Sequence, residues 1–170
     1  IEISSESGMT MLYVPAGIFE MGSKTGDTVY DEEPVHSVYL NAFWVDQTEV
    51  TNAMYSKCVS AGKCESPSSP ESYTRKRYFG NVEFDNYPVI FVDWDMAVNY
   101  CENWRDAQLP NEAQWEKAAR GETAPKYPWG DDLDCYHANY WVADSPACIG
   151  DTTPVGSYEK GASPYGIYDM

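Results

Sequence analysis

Five cysteines are the residues best able to do covalent chemistry in this sequence. Cys58 and Cys64 bracket one short loop, and Cys135 and Cys148 bracket another. Two pairs that each close a local loop are typical of disulfides in secreted domains, so we predict both bonds and an extracytoplasmic location. Cys101 is left over, either as a buried free thiol or as the partner of a cysteine outside this sequence. Zinc binding is disfavoured, because no C-x-x-C occurs and neither histidine lies at zinc-site spacing from the cysteines.

The charge balance excludes several classes of partner. The chain has 11 Lys and Arg against 27 Asp and Glu, for a formal net charge of −16. So few cations disfavour a nucleic-acid partner or an anionic lipid surface. No apolar run is long enough to span a bilayer, so we expect no direct membrane insertion. We interpret the acidic segment 27–33 as solvated surface, and the basic segment 75–77 as an ion-pairing loop or a protein contact.

A short helix is the clearest element that the sequence predicts. Asn111 is placed to cap its start, and Gln114, three residues on, completes a capping box. Gly121 follows the last helical residue, where a left-handed backbone is often needed. One face, spaced i, i+3 and i+4, is predicted to be buried. It consists of Trp115, Ala118 and Ala119.

The other elements are short and separated by loops. Residues 11–14 and 18–21 are predicted as strands joined by a turn, residues 42–45 as a central strand, and residues 88–92 as a buried strand. Thr51 is expected to cap a helix that ends near residue 61. Asp93 is expected to cap a second helix with a buried face. That face is formed by Ala97, Tyr100, Cys101 and Trp104.

Ordered motifs along nearly the whole chain carry a family resemblance. They lie at residues 13–23, 31–36, 43–52, 87–94, 109–121, 127–130, 154–157 and 163–170. Together they resemble the formylglycine-generating enzyme family, also called the sulfatase-modifying-factor domain. The resemblance implies one α+β domain over residues 1–170, with a C-type-lectin-like, loop-rich fold of few short helices and strands.

The resemblance also suggests that the fold is incomplete at its C-terminal side. The family's sequence continues into a catalytic part after the motif that ends at Met170. The apolar run of Tyr165, Ile167 and Tyr168 is expected to enter the core as a strand. Without further residues or a second chain to cover it, we expect apolar surface to remain partly bare. The candidates for such partly bare core residues are Trp44, Trp94 and Trp115.

The positions at which this sequence differs from the family's pattern decide its predicted function. The family's chemistry is copper-dependent oxidation of a sulfatase cysteine to formylglycine by a C-terminal cysteine pair, and none of the five cysteines matches that pair. We therefore assign no catalytic or cofactor-binding residue; copper would need a cysteine pair from a further C-terminal segment. The sequence favours a non-catalytic extracytoplasmic module that binds a protein partner or supports a larger assembly. Two alternatives are the N-terminal part of such an oxidase and lectin-like ligand binding.

The resemblance further implies a candidate calcium site. In the family, an Asn that follows an Ala supplies a side-chain oxygen, and the next residue contributes a backbone oxygen. Here these residues are Asn139 and Tyr140, and Asp151 is the candidate carboxylate. Calcium prefers several oxygen ligands of this kind. The alternative is that Asn139 and Asp151 only bond the loop backbone.

Overall fold

Short strands form two small antiparallel sheets. The structure is a computed structural model that describes residues 2–4, 8–23, 32–123, 125–141 and 148–170. One sheet has the order β1 (Glu2–Ser4), β2 (Thr10–Val14) and β5 (Phe43–Asp46). The other pairs β3 (Gly17–Met21) with β4 (His36–Leu40). Most of the acidic segment 27–33 lies outside the described residues.

The strand pairing corrects two expectations. Strands β2 and β3 are adjacent in sequence but belong to different sheets, so the predicted hairpin is wrong. Strand β5 lies at the edge of its sheet and β2 in the middle, so the predicted central strand is also wrong. The backbone between β2 and β3 is held by a side chain from a helix that lies far along the sequence. The Lys117 ammonium donates to the carbonyls of Pro15 at 2.8 Å and Gly17 at 3.0 Å. These two hydrogen bonds take the place of a local hairpin turn.

The helices begin where the sequence predicts. Helix α1 (Asn52–Ser60) is capped by the Thr51 hydroxyl, and α2 (Trp94–Asn99) by the Asp93 carboxylate. Helix α3 (Glu112–Arg120) has the predicted capping box, which satisfies two backbone donors at its start. After α2 the chain continues as a π-helix, Tyr100–Trp104, and single 3₁₀ turns lie at Val82–Phe84 and Glu159–Gly161. No helix in the described part of the chain could cross a bilayer.

The buried face of α3 differs from the predicted one. Ala118 and Ala119 are buried, but Trp115 is 48% exposed, so its predicted burial is wrong. The third buried residue is Lys117, whose charge is compensated by the two carbonyls near β3. Trp94 is likewise 71% exposed, and Trp44 is half-buried against the Tyr13 ring.

Two predicted strands do not form. In segment 88–92 only Pro88 makes a bridge, to Thr51, and Phe91 has a φ of 58°, which interrupts an extended backbone. Residues 165–168 also form no strand. Ile167 nevertheless reaches the core, because the Ser163 hydroxyl accepts its N–H at 3.2 Å and folds this segment into a turn.

Two buried clusters hold these elements together. One joins β2, α3 and the 163–170 segment through Leu12, Val14, Ala118 and Ile167. The other joins α1 to the π-helix through four buried residues. They are Tyr55, Cys58, Tyr100 and Cys101. The second cluster forms the base of the site described next.

Candidate functional site

A large cleft lies above the second buried cluster. Its volume is about 1200 Å³. Segment 88–92 supplies apolar side chains such as Val89 and Ile90, and the loops at 127–141 and 150–154 supply much of the remaining lining. Asp169 and Met170 also reach it. Apolar and aromatic side chains predominate, and no Lys or Arg is found among the described residues that line it.

An aromatic stack stiffens one side of the cleft. The ring of Trp129 lies between those of Tyr127 and His137, with centroid distances of 5.5 and 5.2 Å and nearly parallel planes. The Trp129 indole donates to the Asp132 carbonyl at 2.7 Å, and His137 Nδ1 lies 2.7 Å from the Asp134 carboxylate. These fixed rings give the cleft a preformed wall.

The base of the cleft holds the one free cysteine of the sequence. Cys101 is buried, which confirms the prediction of a buried thiol. Burial raises the pKa of this thiol, so it is a poor nucleophile and a poor metal ligand. Beside it the rings of Tyr55 and Tyr100 stack at 5.3 Å, and burial raises the pKa of Tyr100 to about 12. We assign this base to packing rather than to chemistry.

Both predicted disulfides are confirmed. Cys58 and Cys64 are bonded at a Cα–Cα distance of 5.3 Å, and Cys135 and Cys148 at 5.4 Å. The second bond closes the loop that carries Asn139, one of the cleft-lining residues. With these four bonded, residues 1–170 retain no pair of free thiols of the kind that copper would require.

A buried carboxylate anchors the wall next to that loop. The Asp151 side chain is 2% exposed, and its carboxylate accepts hydrogen bonds from the hydroxyls of Ser72 at 2.7 Å and Thr74 at 2.5 Å. The backbone N–H groups of Thr74 and Thr152 donate to it at 2.9 and 2.8 Å. Arg75 pairs with it at 3.2 Å. The predicted ion-pairing role of the basic segment is therefore confirmed for Arg75.

Arg75 is itself held on several sides. Its guanidinium donates to the hydroxyl and carbonyl oxygens of Thr152, each at 3.1 Å, and lies 5.0 Å from the ring centroid of Phe84 and 5.1 Å from that of Tyr87. Arginine suits such a site because its planar group stacks on rings and forms directed hydrogen bonds. The pair thus ties segment 72–75 to residues 151–152.

These contacts determine the pKa of the Asp151 carboxyl group and whether Asp151 can bind calcium. Burial alone would raise its pKa, but the hydrogen bonds from Thr74, Ser72 and the backbone outweigh burial and lower the pKa to about 2. The Asn139 amide donates to the Asp151 carbonyl at 2.7 Å, and its oxygen accepts the Ile149 N–H at 3.3 Å. An ion at Asp151 would have to displace Arg75 and several donors, so this arrangement of Asn139, Tyr140 and Asp151 does not fit calcium.

A pair of carboxyl groups elsewhere in the cleft lining has no cationic partner among the described residues. Glu49, just before α1, and Asp169 both line the cleft, and the charge of Asp169 acts on the Glu49 carboxyl group. Partial burial of the carboxyl group and the charge of Asp169 raise the pKa of Glu49 to about 7, although the residue as a whole is exposed. Asp169 also accepts the Gly156 N–H at 2.6 Å.

Neither carboxylate site is predicted by the sequence as a group of residues. The sequence points to Asp151 only as a calcium ligand, and nothing in it points to Glu49 or Asp169. Arg75 and Asp151 lie far apart in sequence, as do Glu49 and Asp169, so no spacing rule connects them. The basic segment 75–77 in an acidic chain was the only signal of the first site.

Comparison with known proteins agrees with this architecture. The Sulfatase-modifying factor enzyme 1-like domain matches residues 2–170. This chain belongs to that family. Its fold is shared by PvdO from Pseudomonas aeruginosa, with a TM-score of 0.75 and 24% identity over 100% of this chain and 70% of that one. CarF is similar at a TM-score of 0.67 and 20% identity, over 96% of this chain and 77% of CarF. The predicted α+β fold is confirmed.

Relatives in sequence carry different names. The chain is 33% identical to serine/threonine-protein kinase pkn1 of Chlamydia caviae over 94% of its own length but only 26% of that protein. It is 30% identical to the formylglycine-generating enzyme of Mycobacterium tuberculosis, over 92% of this chain and 69% of that enzyme. It is 27% identical to inactive C-alpha-formylglycine-generating enzyme 2 of Bos taurus, over 100% of this chain and 70% of that protein. The chain spans about a quarter of the chlamydial protein, so the family alone does not assign its activity.

Proposed function

We propose that this domain is a non-catalytic extracytoplasmic binding module whose cleft receives a segment of a partner polypeptide. The observation that carries the proposal is the size and lining of the cleft. At about 1200 Å³ it exceeds the roughly 300–1000 Å³ of most small-molecule sites. Its predominantly apolar walls suit the side chains of a protein segment.

The rim of the cleft supports the same proposal. Several large apolar residues that line it are strongly exposed, which is typical of interaction surfaces on soluble proteins. Tyr73 and Trp141 are examples, at 79% and 74% exposure. The buried, weakly acidic thiol of Cys101 and the two disulfides supply no reactive cysteine for the chemistry of the family. The disulfides also support an extracytoplasmic location.

Selection from a displayed library of random peptides on the purified, oxidised protein tests this function. We expect enriched peptides whose affinity falls at least about tenfold when Ile90→Asp or Leu133→Asp puts a charge on the cleft wall. Val82→Asp is the matched control, because Val82 is 81% exposed and lies outside the cleft lining. No enrichment, or peptides that bind the two cleft variants as well as the parent, would contradict the proposal. The rim position Leu133 keeps the test valid if Ile90→Asp does not fold.

The alternative is that the chain is the N-terminal part of a copper-dependent formylglycine-generating oxidase. The 30% identity to the mycobacterial enzyme is the observation that favours it. Oxidation of a sulfatase-motif peptide by the full-length protein, with copper supplied, distinguishes the two functions. We expect no turnover, and turnover would favour the oxidase.

A further inference from the structure

Two buried polar atoms without a hydrogen-bond partner lie together below the floor of the cleft. The Arg105 side chain is 4% exposed, and both of its terminal nitrogens donate to the carboxylate of Asp46. Its third nitrogen, Nε, has no acceptor among the described residues. The hydroxyl of Tyr100, a residue that is 2% exposed, has no partner there either. Native folds rarely leave such buried groups unsatisfied, because the lost hydration is not recovered.

The π-helix brings these two residues to the same side. Tyr100 is its first residue, and the backbone N–H of Arg105 is shared between the carbonyls of Tyr100 and Cys101 after one wide turn. The Tyr100 ring is fixed by stacking on Tyr55 at a centroid distance of 5.3 Å. Burial raises the pKa of Tyr100 to about 12, and the charge of Arg105 opposes this rise, as expected for a hydroxyl near the guanidinium. π-helical turns are rare and often occur at functional sites.

The charge of this site indicates which occupant fits. Asp46 already neutralises Arg105, so an anion at Nε would be buried next to a carboxylate without a free positive charge to compensate it. The formal net charge of −16 disfavours an anion further. A small neutral molecule that accepts one hydrogen bond and exchanges a second one matches the Nε–H and the hydroxyl. Water has this capacity, and buried waters typically bridge polar groups that lack a protein partner.

We propose that one ordered water molecule lies between Arg105 Nε and the Tyr100 hydroxyl, where it accepts a hydrogen bond from Nε and exchanges a second one with the hydroxyl. Solvent has a route to this position, because Tyr100 and Cys101 both line the cleft. Asp46 is the last residue of β5, so the water joins the ion pair at the end of that strand to the floor of the cleft. It is a structural part of the floor and does not depend on the proposed function.

A high-resolution crystal structure of the protein, together with Tyr100→Phe, tests the proposal. We expect one water within roughly 2.7–3.2 Å of both Arg105 Nε and the Tyr100 oxygen. Tyr100→Phe keeps the ring and removes the hydroxyl, so the bridging position should be lost. The melting temperature should fall by about 2–4 °C, as for the loss of one satisfied hydrogen bond. The matched control is Tyr136→Phe at a position that is 79% exposed, for which we expect a change of less than about 1 °C.

Three results would overturn the proposal. A higher melting temperature of Tyr100→Phe would mean that the hydroxyl has no partner, because its removal then relieves an unfavourable burial. A crystal structure of the parent without a water at this position would exclude the bridge. Anomalous scattering from bromide at the same position, in crystals soaked in sodium bromide, would show an anion site instead. In solution, oxygen-17 relaxation dispersion counts long-lived waters, and we expect one more in the parent than in Tyr100→Phe; equal numbers would contradict the proposal.

Discussion

Two carboxylate sites line the same cleft and differ in almost every physical respect. Asp151 is buried, receives hydrogen bonds from two side chains and two backbone groups, and pairs with Arg75. Glu49 keeps solvent contact and meets only another carboxyl group, Asp169, so its pKa moves upward rather than downward. Hydrogen bonds and an opposite charge favour the ionised form of Asp151, whereas the neighbouring carboxyl group disfavours the ionised form of Glu49. Acidic residues in one cleft can therefore have opposite effects on stability.

The largest expected effect is loss of the anchored site. Asp151→Asn removes the buried charge opposite the partly buried Arg75 and replaces a carboxylate that accepts four hydrogen bonds, so we expect a loss of about 3–5 kcal/mol in the free energy of unfolding. Urea denaturation followed by tryptophan fluorescence measures it. The matched control is the exposed Asp132→Asn, for which we expect a change within about 0.5 kcal/mol. An equally small change in the free energy of unfolding of Asp151→Asn would show that Asp151 does not stabilise the fold, and the difference between the two carboxylate sites would not hold.

The disulfide beside the anchored wall gives the next effect. The Cys135–Cys148 bond closes a 13-residue separation, and its removal by paired Ala substitutions should lower stability by roughly 3 kcal/mol. The Cys58–Cys64 bond closes only 6 residues and should contribute roughly 2 kcal/mol. Because the longer loop carries Asn139, which binds the Asp151 carbonyl, its opening should also raise the pKa of Asp151. NMR titration of the Asp151 carboxyl group measures this pKa. An unchanged value would show that the surroundings of Asp151 do not depend on the loop that Cys135 and Cys148 close.

The two sites should respond to pH with opposite signs. Asp151 has a folded-state pKa of about 2 against 3.8, so its contribution is present above pH 3.8 and is lost as the pH falls toward 2. Glu49 has a pKa of about 7 against 4.5, so its site is most stable below pH 4.5 and loses stability as the pH rises through 7. Melting temperatures between pH 2 and 8 measure both slopes. Glu49→Gln should remove the slope between pH 4.5 and 7 and keep the one at low pH; if both slopes persist, the Glu49 assignment is wrong.

The smallest expected effect is that of neutralising Glu49 at pH 8. Glu49→Gln removes repulsion from Asp169, so stability should rise, but by less than about 1 kcal/mol because the site is in contact with solvent. Denaturation at pH 8, with Glu83→Gln as the control, resolves the sign. A clear loss of stability in Glu49→Gln would mean that the carboxylate is an anchor like Asp151.

Local features of the fold were predictable from sequence because their partners are near in the chain. The Thr51 and Asp93 caps bond backbone groups three residues away, and the capping box of α3 is equally local. Both disulfides join cysteines that face each other across short loops. The exposure of Trp115, by contrast, could not be predicted from helical spacing alone. Spacing gives the face of a helix but not which part of that face finds a neighbour.

The sequence by itself determined the family, the short capped helices, the disulfides and the acidic character of the chain. The tertiary structure alone decided the pairing of the strands, the burial of Lys117, and the meeting of Arg75 with Asp151 and of Glu49 with Asp169. The physical reason is distance along the chain. The contacts of Lys117 with Pro15 and Gly17 and of Thr74 with Asp151 join residues 77 to 102 positions apart. Whether a charged side chain is stabilised or destabilised depends on the groups that folding brings beside it, and a local sequence pattern does not identify those groups.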